Sequence, residues 1–289
     1  MTQPQKTLRL VMPQWQGGGL PTYILGAHLL AWLAPQSDAI VREVPVAPPS
    51  DGDLVKEQGV YERAAILRQD RDALRIIQEV APERIVTFGG DCSVSLAPFS
   101  HLASRHAGDV AVLWIDSHTD FAGPDSYPYA HGYPVNNLLG YGDPEFVAFV
   151  KNPLPADRLA YVGIQKRVYA DLPLFTELGV TAFDPAELTP DFAEVTDWIR
   201  QTGASKLLVH FDLDVLDPGR FRAQHVGNPA GAEQRYLEIP SGQIDLETVA
   251  SLVQKSGEAA EIVALSITEH LPWDAANLQQ ALARIPILR

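Results

Sequence analysis

Two short stretches gather carboxylates and imidazole in a pattern that could do chemistry. Asp116, His118 and Asp120 fall in "DSHTD", and Asp212 and Asp214 fall in "FDLDVLDP". Each follows an apolar, strand-like run, "VAVLWI" and "KLLVHF". Side chains at i and i+2 of a strand share a face. That rule predicts that Asp116 and His118 project together and that Asp212 and Asp214 do the same, with Asp120 where the strand gives way to a loop. Carboxylates crowded into one place resist ionisation unless cations compensate them. Two divalent ions would balance four such charges, and oxygen-rich ligation with imidazole suits Mn²⁺ or a similar metal better than a structural zinc site. Solvated loop acids are the alternative, and it weakens when both clusters sit at strand ends.

The elements that must position these groups are legible as short apolar runs. They include "LRLVMPQW" near the start, "AIVREVPV" from Ala39, "RIVTFGG" from Arg84, "VAVLWIDSHTD" from Val110, "LAYVGIQ" from Leu159, "VTAFD" from Val180, "KLLVHFDLDVLD" from Lys206 and "IVALSITEH" from Ile262. Several are continuously hydrophobic, as strands covered on both faces are. Helical spacing appears between them, over Tyr61 to Val80 and over Asp245 to Lys255, where Gly257 reads as the stop signal. Alternating strands and helices predict an α/β fold with a mostly parallel sheet of about eight strands and helices on both faces. No repeat or linker composition interrupts the chain, so residues 1–289 read as a single domain. In such a sheet, ligands bind outside the carboxyl ends of the strands.

Composition narrows the function further. Lys and Arg total 22 against 36 Asp and Glu, a formal charge of -14, which argues against nucleic acid or an anionic membrane as partner. No apolar run approaches the roughly 20 residues that span a bilayer. The start "MTQPQKTLRL" has no leader pattern, and one cysteine forms no internal disulfide, so a cytoplasmic protein is expected. That cysteine, Cys92, stands directly after Gly-Gly-Asp in "RIVTFGGDCSVSL".

The motifs "GGDCS", "DSHTD", "HGYP" and "FDLDVLDP" together resemble the ureohydrolases, the arginase, agmatinase and formiminoglutamase family. The resemblance implies an arginase-like three-layer αβα sandwich, a homo-oligomer, and two Mn²⁺ ions. By the same resemblance Asp116 and Asp212 bridge the ions, Asp120 completes the first shell, and His118 and Asp214 complete the second. The family usually places histidine where this chain has Cys92. Thiolate is soft and favours zinc, cobalt or iron over manganese, and it binds only when deprotonated. Cys92 as a retuned or weakened ligand therefore stands beside Cys92 as a small buried hydrophobe.

The implied reaction is hydrolysis of a C–N bond in a small guanidino or formimino compound by a metal-activated hydroxide. Asp120 would orient the water, His131 of "HGYP" would shuttle the proton, and Glu269 of "SITEH" would pair with the guanidinium. Arginine itself is disfavoured: "FAGPDSYPYAHGYP" lacks the asparagine and the Ser/Thr run that hold its amino-acid end. Lys166 and Arg167 in "IQKRVY" are candidates to meet a substrate carboxylate, and Tyr127, Tyr129 and Tyr133 are candidates to wall the pocket. The segment after "LDPG" also departs from the family pattern. Two other readings remain open: a mononuclear, deacetylase-like amidohydrolase using Asp116, His118 and Asp212, and a non-catalytic family member.

Overall fold

The apolar runs form the strands β1 (Thr7–Met12), β2 (Ile40–Glu43), β5 (Arg84–Gly89), β6 (Val110–Ile115), β7 (Leu159–Val162), β8 (Thr181–Phe183), β9 (Lys206–Asp212) and β10 (Glu261–Thr268). They join in one eight-stranded sheet of order β2-β1-β5-β10-β9-β6-β7-β8, in which every neighbouring pair is parallel. A computed structural model describes residues 6–50, 52–170, 172–229 and 240–288. The short antiparallel hairpin of β3 (Lys56–Glu57) and β4 (Val60–Tyr61) stands apart from the sheet. Two-residue strands carry too little periodicity to be read from sequence.

Both faces of the sheet are covered, which explains the unbroken hydrophobicity of its central strands. Val110, Val112 and Trp114 of β6 pack with Leu8, Leu10, Ile85 and Leu208 and with Ile66 and Ile77 of α2 (Arg63–Val80) and Phe99 of α3 (Leu96–Arg105). The intervening Ala111, Leu113 and Ile115 pack with Leu207 and Val209 on the opposite face. There they meet Val195 and Ile199 of α4 (Ala193–Thr202) and Val249 and Leu252 of α5 (Leu246–Ala259). One strand thus feeds two cores, and the result is a three-layer αβα sandwich with α1 (Thr22–Leu33) and α6 (Trp273–Leu282) completing the set of longer helices among the described residues.

Two helix boundaries differ from the sequence expectation. Tyr61 pairs with Lys56 in the hairpin, and α2 starts only after Glu62, whose φ of 54° breaks the chain direction. Gly257 does not stop α5. It lies inside the helix with no positive φ, and the helix ends where Ala260 turns extended to enter β10. Glycine ends a helix by adopting the left-handed conformation, and without that it is only a weak helix former.

The sheet register explains where chemistry becomes possible. On the face that carries α2 and α3, Val112, Leu208 and Ala264 form an apolar row across β6, β9 and β10. One step along the strands the row is Trp114, His210 and Ser266, and one step further Asp212 pairs with Thr268 beside Asp116. Polarity rises toward the carboxyl edge of these three adjacent central strands, where an open α/β sheet places its ligands.

Candidate active site

Cys92 leaves the end of β5 in a short 3-10 turn, Cys92–Ser95. Asp91 sets that turn: its carboxylate accepts from Ser93 N at 3.1 Å, Gln14 Nε2 at 3.2 Å, Gly18 N at 3.2 Å and the Ser93 hydroxyl. Gly90 permits the close approach, since a Cβ there would fall 1.7 Å from the Gln14 carbonyl oxygen. The Cys92 thiol consequently points into the site. It donates to Asp212 Oδ2 at 2.8 Å and lies 3.4 Å from Thr268 Oγ1 and 3.6 Å from Glu269 Oε1.

Asp116 is wholly buried at the end of β6. Trp114 Nε1 donates to its Oδ2 at 2.9 Å and the His118 backbone N–H to its Oδ1 at 2.7 Å. His118 Nδ1 sits 3.0 Å from Asp214 Oδ2, and the Ser117 hydroxyl donates to Asp214 Oδ1 at 2.8 Å. Asp214 reaches this position from the 3-10 turn Leu213–Val215 rather than from the strand, with its N–H donated to Asp212 Oδ1 at 2.7 Å. Asp120 and Glu269 both adopt left-handed backbone, with φ of 45° and 62°. Such conformations cost of order 1–3 kcal/mol at non-glycine residues and persist where the surroundings over-determine them.

Side-chain atoms able to ligate a cation converge in three overlapping groups: Cys92, Asp116, Asp120 and His210; Asp116, His118 and Asp214; and Cys92, Asp212 and Glu269. Within each group the atoms lie within 4.8 Å of one another. Asp116 is common to two groups and Cys92 to two. His118 Nε2 and Asp120 Oδ2 are buried without a hydrogen-bond partner. Burial and the neighbouring carboxylates push Asp116, Asp120 and Asp212 above the usual carboxylate range, and burial with Asp212, Asp120 and Asp116 pushes the Cys92 thiol up. Burial would also raise Asp214, but His118 overrides it and holds that carboxyl at about 2. Buried negative charge with too little positive charge, and donor atoms left without partners, fit the binding of divalent cations.

His210 is the residue that the sequence reading missed. It is fully buried in β9, two positions before Asp212 and therefore on the same face. A lone histidine in an apolar strand reads as core, but the i, i+2 rule that relates it to Asp212 was the available signal.

His131 lies in the 3-10 turn Ala130–Gly132, with Nδ1 3.3 Å from Glu269 Oε1 and Nε2 2.8 Å from the Tyr127 hydroxyl. Burial, with the His118 charge nearby, pulls His131 down to about 4, and burial lifts Glu269 to about 8. Tyr23 of α1, also absent from the sequence reading, donates its hydroxyl to Glu269 Oε2.

Tyr23, Cys92, His118, Asp120, His131, Asp212, Asp214 and Glu269 line one cavity of about 840 Å³, with Leu20, Phe121, Tyr127, Tyr129, Val168, Leu172 and Val226 also in its wall, while Asp116 and His210 lie buried outside the lining. Tyr133 is not part of it: it is buried in the core with its hydroxyl donated to the Tyr127 carbonyl. Neither Lys166 nor Arg167 lines it. Lys166 is exposed with Nζ 4.0 Å from Glu187, and Arg167 Nε donates to Gln165 Oε1 at 2.9 Å. The helix Lys166–Tyr169 turns those two side chains outward while Val168 faces in. Part of the divergent segment after "LDPG", residues 230–239, lies outside the described residues.

A family model described as the arginase family matches residues 30–238. The chain is similar to an arginase of Schizosaccharomyces pombe, 26% identical over 235 residues that span 78% of this chain and 68% of the relative. An N(omega)-hydroxy-L-arginine amidinohydrolase of Streptomyces lavendulae is 27% identical over 76% of this chain and 75% of its own length. The match to an arginase of Eremothecium gossypii, 28% identical over 66% of this chain, spans about half of that protein, 47%. Among solved structures, Entamoeba histolytica arginase in complex with L-ornithine superposes with a TM-score of 0.73 at 17% identity, covering 94% of this chain and 93% of that one.

Proposed function

This chain belongs to the arginase family, and from that premise we propose that it is a metal-dependent hydrolase that cleaves a C–N bond of a small guanidino or formimino compound. The observation that carries the reading is the convergence of His118, Asp120, Asp212 and Asp214 with Glu269 and His131 in one cavity at the carboxyl edge of the sheet, with the buried Asp116 close enough to share two of the ligating groups. Asp116, His118 and Asp214 offer oxygens and an imidazole that suit Mn²⁺, whereas the group containing Cys92 departs from that preference. Divalent cations held there supply Lewis-acid activation of water and charge stabilisation.

The chain's own residues do the rest. Glu269 lines the cavity, and burial lifts its carboxyl to about 8. A guanidinium brought against it supplies a countercharge through a charge-assisted pair. Tyr23 holds Glu269 Oε2, and His131 lies beside Oε1. With its pKa near 4, His131 is neutral at pH 7 and has a lone pair to take a proton and pass it to the leaving amine. Tyr127 fixes the ring from the other side. Asp120, with Oδ2 unpartnered, accepts a proton-bearing partner such as the attacking water.

The cavity wall favours a substrate other than arginine. Among the described lining residues there is no Lys or Arg to meet an α-carboxylate. A panel of guanidino and formimino compounds, assayed for urea, ammonia or formamide release after loading with Mn²⁺ or Zn²⁺, tests the reading. Release that Glu269→Gln lowers by roughly a hundredfold or more supports it, that being the scale for removing one partner of a buried charged pair. No release with any compound and either metal rejects it.

A further inference from the structure

Cys92 brings sulfur to a position where the family resemblance implies a nitrogen ligand, and an imidazole lies close to it. His210 comes within 4.8 Å of Cys92, Asp116 and Asp120 when one ligating atom of each is compared. Its ring is stacked on Trp114, with centroids 3.7 Å apart and planes 9° from parallel, so its orientation is fixed. Nδ1 lies 2.8 Å from the Ser95 hydroxyl oxygen. Nε2 has a longer contact, 3.4 Å from Thr268 Oγ1, and that same hydroxyl is 3.4 Å from Cys92 Sγ. Ligating histidines characteristically donate their second ring N–H to an oxygen, which fixes the tautomer and leaves the other nitrogen free to bind. With Ser95 accepting from Nδ1, the lone pair of Nε2 faces the side of the ring where Cys92 sits.

We propose that Cys92 and His210, together with Asp116 and Asp120, form a four-donor metal site of thiolate, imidazole and two carboxylates, built for Zn²⁺ rather than Mn²⁺. The proposal deepens the hydrolase reading by naming the donors and the metal class of one of its sites. One sulfur, one nitrogen and two oxygens match the ligand types and the coordination number that zinc accepts. The softness of sulfur disfavours manganese. Binding requires the thiol to release its proton to solvent, so metal uptake is accompanied by proton release. Cys92 and His210 act here as a pair: the imidazole restores, from β9, two strands away in the sheet, the nitrogen donor that the cysteine position lacks.

The test uses the full-length protein stripped with a chelator and titrated with Co²⁺ as a coloured stand-in for Zn²⁺. The wild type is expected to develop a near-ultraviolet thiolate-to-cobalt charge-transfer band, which Cys92→Ser abolishes. His210→Asn keeps an amide near Nδ1 for Ser95 but removes Nε2. It is expected to alter the visible cobalt bands and to lower Zn²⁺ affinity at least tenfold, roughly the smallest effect seen even for outer partners of a ligand. Should that variant not fold, Ser95→Ala decides, with an expected loss of Zn²⁺ affinity on the order of 10-fold to 100-fold. Wild-type affinity and an unchanged cobalt spectrum in His210→Asn, or in Ser95→Ala where that variant decides, overturn the proposal, as does the absence of a charge-transfer band in the wild type. Urea release measured in parallel separates the two readings. Release without the band leaves the hydrolase and removes this site, whereas a band dependent on Cys92 and His210 without any release does the reverse.

Discussion

The hydroxyl of Tyr23 is hydrogen-bonded to Oε2 of Glu269, joining the first helix to the end of the last strand across 246 positions of sequence. Both side chains are buried, and the bond leaves Oε1 of Glu269 beside His131 and Cys92. Tyr23 is thereby a positioning residue for the carboxylate assigned to the substrate.

Tyr23→Phe is expected to lower kcat/KM about tenfold, the equivalent of roughly 1.4 kcal/mol, within the range of a hydrogen bond to a charged group. Steady-state kinetics on the identified substrate check it, with thermal melting to show that the fold survives. Unaltered kcat/KM would remove Tyr23 from the positioning role.

Cys92→His is expected to shift metal preference toward Mn²⁺, because it exchanges a soft donor for an imidazole at the same place. Competition between Mn²⁺ and Zn²⁺, read as metal content per chain after removal of unbound ions, measures the shift. Identical selectivity in the variant would mean that the thiol does not ligate.

Asp143→Ala is expected to destabilise the fold by about 3 kcal/mol, a typical cost of leaving a buried charge unpaired. Arg63 is buried at the start of α2, with Nη2 2.7 Å from Asp143 Oδ1 and Nε 3.3 Å from Oδ2, and only the exposed Glu145 would remain to it. Urea unfolding followed by circular dichroism gives the number, and a change below about 1 kcal/mol, the scale of a surface pair, would contradict the assignment.

Asp70→Asn is expected to stabilise the protein at neutral pH. Asp70 is buried in α2 with both carboxyl oxygens unpartnered, and burial together with Asp91 raises it well above 3.8. The folded state therefore keeps the proton that the unfolded state sheds above about pH 4, and this group makes wild-type stability fall as pH rises through the interval between the two pKa values. The amide carries no such penalty, so urea midpoints measured from pH 4 to 8 should decline less in the variant. Equal slopes would show that Asp70 is ionised in the fold.

Much of this was legible beforehand because two sequence rules have simple physical causes. Strands covered on both faces have no polar side, so the central runs stood out. Side-chain alternation was the basis for pairing Asp116 with His118 and Asp212 with Asp214, but β6 ends at Ile115 and β9 at Asp212, so it is the turns after the strands that set those pairs; a parallel sheet exposes only its strand ends. The rest depended on contacts between elements distant in sequence. The i, i+2 relation to Asp212 is the one local sign at His210, and its fixed orientation arises only when β6 lays Trp114 against it. Tyr23 becomes relevant only when α1 meets β10. Lys166 and Arg167 looked available, but a helix of four residues decides which way each points, and it turned both away from the cavity.

The order β5-β10-β9-β6 has a consequence for how the protein acquires its chemistry. Cys92 and Asp212 touch across 120 positions of sequence, and Cys92 and Glu269 across 177. Such non-local pairings require large loops to close before any contact rewards them, and they slow folding. The donors are spread from Cys92 to Glu269, and β10 must slot between β5 and β9 before Glu269 joins them. A nascent or nicked chain that has not inserted its last strand therefore lacks Glu269, which lines the cavity and belongs to one of the ligating groups, so the completed topology is the precondition for the full set of cavity groups.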